Sequence, residues 1–117
     1  MLLHLVRHGR PAIDETVPAA HWALDDDAGT EISQLNLSGH LPREGAWFTS
    51  PEPKARFTTS LLARCEVMVV ADLTGNQPDV ASWARMTMPD HYCIDLDGSR
   101  LVSDWGEWRS GHGPYSA

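Results

Sequence analysis

Apolar residues come in short bursts, separated by stretches rich in proline and acids. The first burst, LLHLV over residues 2–6, is dense enough for a buried strand. Residues 11–27, PAIDETVPAAHWALDDD, show no period and predict a loop. In residues 28–41, Ile32 and Leu35 lie one helical turn apart and Gly39 supplies a stop, so a short helix is expected. AWFTS (46–50) predicts a second strand. From Ser50, an expected N-cap, SPEPKARFTTSLLA (50–63) predicts a helix with proline in its first turn and Glu52 at its positive end. Ala55, Phe57, Leu61 and Leu62 are its candidate inward positions.

EVMVVADL (66–73) carries the strongest strand pattern of the chain, and TGNQPD interrupts it. VASWARM (80–86) predicts a short helix ending before Pro89. HYCIDL (91–96), a DG turn and SRLVSDW (99–105) predict a hairpin. Strands alternating with helices predict one α/β domain over residues 1–105, with three layers: a mostly parallel sheet covered by helices on both faces. Residues 106–117 are expected to be a disordered tail. In a parallel sheet, ligands sit beyond the carboxyl ends of the strands, which would put His8 and the SPEPKA turn on one rim.

Composition narrows the function. The 117 residues hold 9 basic and 16 acidic side chains, a net charge of −7. That excess argues against general nucleic-acid binding, though a local cluster of cations can still hold a small anion. Cys65 and Cys93 suggest buried thiols in a reducing compartment rather than a disulfide framework. No apolar run approaches the length of a membrane span, and MLLHLV is too short for a signal peptide. The expectation is a cytoplasmic protein that binds neither membrane nor nucleic acid. His21, His40 and His91 lack metal-ligand spacing, DDD (25–27) has too few ordered oxygens for calcium, and His4 alternates within the first strand as a packed side chain, so no metal site and no cofactor are expected.

The chemistry concentrates where the first strand ends, in RHGR (7–10). Arginine grips a phosphoryl group bidentately, histidine supplies a nitrogen nucleophile, and glycine lets the backbone approach a ligand. His8 is the candidate attacker, with Arg7 and Arg10 as candidate phosphate ligands. A four-residue motif alone carries little weight, but TSPEPKA (49–55) repeats the arrangement of a strand, a turn and a cation at a helix start.

Strand–RHG followed by strand–SPxxKA, with Trp22, Leu24 and Gly29 between, resembles the histidine phosphatase superfamily, the phosphoglycerate-mutase-like fold. The likeness covers residues 1–63, and residues 83–105 look like the closing hairpin of small members. The resemblance implies a phosphomonoester hydrolase in which His8 becomes a phosphohistidine and Arg7 binds the phosphoryl oxygens. Lys54 stands where the family has a second arginine; Arg56 lies about 200° further round the helix. The substrate would be a small phosphorylated molecule, with inorganic phosphate as product. Two family features are missing. Asp72 and Leu73 stand where a second histidine is expected, and no general acid is placed, because the stretch that would carry it is almost absent. Asp72 and His112 are the stand-ins to weigh. This internal shortening leaves open a catalytically weak phosphate-binding member, and a homodimer that restores lost packing.

Overall fold

A computed structural model describes residues 1–42, 44–63, 65–71 and 86–110. Strand β1 (Leu2–Arg7) is followed by helix α1 (Ala28–Leu37), strand β2 (Trp47–Thr49), helix α2 (Pro53–Leu62) and strand β3 (Val67–Val69); β4 (Asp90–Asp95) and β5 (Arg100–Ser103) close the chain. Among these residues no helix is long and apolar enough to cross a membrane.

Strand pairing overturns the expected three-layer, mostly parallel architecture. β1 pairs antiparallel with β4, which pairs antiparallel with β5, giving a three-stranded sheet in the order β1-β4-β5. Parallel pairing is confined to a separate ribbon, β2 with β3, joined through α2. A parallel sheet needs a crossover helix for each pair and helices over both faces. Among the described residues the chain makes such a crossover once, and the hydrogen-bonding partner of β1 is the hairpin. β1 is accordingly a sheet edge rather than a doubly buried strand, with Leu2, Leu3 and Leu5 each more than 40% exposed (41%, 43% and 45%).

Packing centres on the helices. Ala28, Ile32 and Leu35 of α1, four and three residues apart, are fully buried and meet Leu62 of α2 and Trp108. Val6, Leu24, Leu41 and Trp47 pack round this cluster. Trp108 corrects the expected tail: Glu107–Ser110 form a 3-10 turn whose tryptophan enters the core and donates to Thr87 Oγ1 at 3.1 Å. Residues 111–117, and the helix expected over 80–86 apart from Met86, lie outside the described residues.

A polar cluster lies on one face of the β1–β4 pair. The register sets His4 opposite Cys93 and Val6 opposite His91. His4 Nδ1 and His91 Nε2 are 2.8 Å apart, and the His40 ring stands edge-on to His91 with centroids 5.6 Å apart. His91 and His40 are buried, and each Nδ1 lacks a hydrogen-bond partner among the described residues. Burial drives all three below the ordinary histidine range, and His91, also beside His4 and His40, falls to about 3. Burial thus favours the neutral form of each ring.

Candidate functional site

His8 stands one residue past the end of β1, where the strand hands over to the loop. Its Nδ1 lies 2.7 Å from the Gly9 carbonyl oxygen. A carbonyl only accepts, so Nδ1 carries the proton and Nε2 keeps its lone pair. Burial lowers the affinity of His8 for a second proton; the Gly9 carbonyl opposes this, while the charges of Lys54 and Arg7 reinforce it and that of Glu52 opposes it. The sum is depressed, which favours the neutral imidazole, with Nε2 as its basic nitrogen.

Gly9 fixes where β1 ends. It is buried, and a Cβ built on it would lie 2.9 Å from Ile32 Cδ1 and 3.4 Å from Ala28 Cβ. Only glycine allows this approach to α1 without displacement. Its amide donates to Thr58 Oγ1 at 2.9 Å, and that hydroxyl donates to the Lys54 carbonyl at 2.8 Å. One side chain thus ties the end of β1 to the first turn of α2.

Helix α2 begins at Pro53, with Glu52 as an extended N-cap, two residues later than the expected Ser50 cap. Its buried face is Thr58 and Leu62, one turn apart, so Phe57 and Leu61, expected inside, are 56% and 52% exposed. This rotation directs Thr58 at Gly9. The Lys54 side chain, 11% exposed, donates from Nζ to the Ala19 carbonyl at 2.9 Å, approaches Glu52 Oε2 at 3.4 Å and lies 5.8 Å from the Trp22 ring centroid.

Of the expected site residues, Lys54 and Arg7 act electrostatically on His8. Arg7 reaches the Thr87 carbonyl from Nη1 at 3.4 Å; burial lowers its proton affinity against the opposing charge of Asp90. Asp90 is fully buried and accepts from the amides of Thr87, His91 and Gly106. Arg10 goes elsewhere: its guanidinium holds Glu31 at 3.2 Å, and it is not among the charges that act on His8. A carboxylate 21 residues on, in the first turn of α1, captures it.

Two residues join the site that sequence reasoning did not assign to it. Thr58 could have been found as the polar member of an otherwise apolar helix face. Glu52, read only as a helix-end charge, borders the SP turn whose cation is Lys54. Asp72 and His112 lie outside the described residues. Among the described residues no group of three or more His, Cys, Asp or Glu could hold a metal ion. His8 thus keeps a lone pair on Nε2, and the charges of Lys54 and Arg7 act on its ring. No family model matches the chain, and no curated protein or solved structure matches it either.

Proposed function

We propose that this chain binds a small phosphomonoester at His8 and hydrolyses it through a phosphohistidine, as the resemblance to histidine phosphatases suggests. The observation that carries the reading is the 2.7 Å contact between His8 Nδ1 and the Gly9 carbonyl, which leaves Nε2 as the basic nitrogen of a ring on which the charges of Lys54, Arg7 and Glu52 act.

Attack by Nε2 on phosphorus forms the N–P bond as the ester P–O bond breaks, and the departing alcohol takes its proton from solvent. Water then attacks phosphorus, the P–N bond breaks, and inorganic phosphate leaves with neutral His8 restored. Arg7 and Lys54 supply the charge that offsets the phosphoryl oxygens in both steps. Arg7 lies at the end of β1 and Lys54 on the first turn of α2.

A second reading is favoured by a specific observation: each cation has an anionic neighbour. Glu52 lies 3.4 Å from Lys54, and Asp90 acts on Arg7. A site so compensated binds phosphate with little turnover. Incubation with an aryl phosphate, followed by phosphorus NMR, separates the two. Hydrolysis predicts an acid-labile phosphohistidine and release of phosphate, both lost in His8→Ala. Equal turnover by wild type and His8→Ala dismisses the hydrolase. Phosphate binding without phosphohistidine supports the second reading.

A further inference from the structure

The backbone of edge strand β1 has a definite parity. The Leu96 amide donates to the Met1 carbonyl at 2.9 Å, and the register sets Leu2 opposite Asp95. Met1 and Leu96 are therefore a hydrogen-bonded pair of the antiparallel ladder, and Leu3, Leu5 and Arg7 repeat it at every second position. The amides and carbonyls of Leu2 and Val6 consequently point away from β4. Among the described residues no strand pairs with β1 on that side.

Natural edge strands are guarded by lysine, proline, a bulge or a covering element. Residues 2–6, LLHLV, hold neither lysine nor proline, and the irregularity of this sheet falls between Cys93 and Ile94, where β4 meets β5. Leu2, Leu3 and Leu5 stay exposed.

This segment fits its own copy. Laid antiparallel on itself about His4, it sets Leu2 on Val6 and Leu3 on Leu5, apolar on apolar. The parity agrees. Leu2 with Val6 is then a hydrogen-bonded pair, formed twice, and its four bonds use the groups that face outward. A slip of one residue opposes outward-facing groups to inward-facing ones, and a slip of two leaves Leu2 or Val6 beyond the partner strand. Charge agrees as well. Arg7 closes one end of β1, while Asp95 and Asp97 hold the Met1 amine at the other, with one negative charge in excess. Antiparallel pairing brings each Arg7 to the partner's acidic end, whereas parallel pairing sets like charges side by side.

We infer that β1 is the interface of a symmetric dimer, in which two copies of the chain join edge to edge across a two-fold axis at His4 and extend the three-stranded sheet to six strands. The inference is independent of the chemistry at His8. A strand edge is smaller than the roughly 800 Å² per partner of a standard interface, so the dimer is weak and reversible.

Sedimentation equilibrium from about 1 μM to 1 mM chain should show the mean mass rising from 12.9 kDa toward twice that value. Leu5→Lys sets a charge against the partner's Leu3 and should weaken association about tenfold or more. Leu2→Pro removes an amide on the open side and none from the β1–β4 ladder, so it should weaken association while the urea midpoint holds. The register is read by cross-linking. In a Cys65→Ser background, which removes the exposed thiol, a mixture of Leu3→Cys and Leu5→Cys should form disulfide-linked dimer faster than either variant alone. A monomer across the whole range, unchanged association in a folded Leu5→Lys or Leu2→Pro, or cross-linking no faster in the mixture overturns the inference.

Discussion

Substituting Gly9 by alanine probes the joint between β1 and α1, the contact that sets where His8 stands. The added methyl would lie 2.9 Å from Ile32 Cδ1, 3.2 Å from Ile32 Cγ1 and 3.4 Å from Ala28 Cβ. Ile32 is fully buried, so its Cδ1 has no solvent to retreat into. Overpacking of this kind costs about 1–3 kcal/mol. Against it stands about 0.4–1 kcal/mol gained because alanine restricts the unfolded chain. The net expectation is a loss of about 1–2 kcal/mol, which for a domain of this size lowers the melting temperature by roughly 4–8 °C. Ile32→Val removes Cδ1, the nearest atom, and alone costs about 0.5–1.5 kcal/mol. Because the methyl then finds room, the double variant should be more stable than the two costs summed, by about 0.5 kcal/mol or more. Urea unfolding of the four proteins at constant m-value measures the cycle. Gly9→Ala as stable as wild type, or strictly additive costs, refutes the proposed close approach. The same displacement shifts the Gly9 carbonyl that orients His8, so phosphate affinity should fall with stability in the single variant and recover in the double.

Two further outcomes follow from single groups. Thr58→Val leaves the buried Gly9 amide without its acceptor and should cost about 1–3 kcal/mol, whereas Thr58→Ser keeps the hydroxyl and most of the stability; urea midpoints decide, and equal midpoints for valine and serine would remove the bridge. His91, at about 3 when folded against 6.5 in the unfolded chain, binds its proton more readily unfolded, so its contribution is present above about pH 6.5 and is lost as pH falls toward 3. The loss between pH 7 and pH 5 should be about 2 kcal/mol, read as a melting temperature that drops more steeply in wild type than in His91→Leu; parallel profiles would contradict the neutral buried cluster.

Local elements were legible where one segment carries its own instruction. α1, β2, α2, β3 and β5 fall within the stretches whose patterns predict them, and β1 and β4 each overrun theirs by one residue, because periodicity, proline at a helix start and a DG turn act over a few residues. Arrangement in space was not. LLHLV reads equally well as a central parallel strand or an edge antiparallel one; the choice depends on β4, some 80 residues away, and no feature inside β1 encodes it. Lys54 and Arg10 show the same limit for side chains. Both are cations beside a promising motif, but only Lys54 is on an element tied to His8, while Arg10 is captured by Glu31. His4, His40 and His91 have no spacing in common and meet only through the register of β1 on β4 and the placement of His40 after α1.

The candidate site nevertheless outlives the correction of the sheet, for a physical reason. It needs two local pieces, the end of β1 and the start of α2, and one long-range contact between them, the hydrogen bond from Gly9 to Thr58. None of these depends on whether the neighbour of β1 runs parallel or antiparallel. A parallel architecture would add rim positions from further strands, and those are the positions at which the resemblance to histidine phosphatases already fails. What survives is one strand end, one helix start and a threonine joining them. On the proposed reading, turnover depends on how far Glu52, 3.4 Å from Lys54, offsets that cation, and on how far Asp90, held by backbone amides, offsets Arg7.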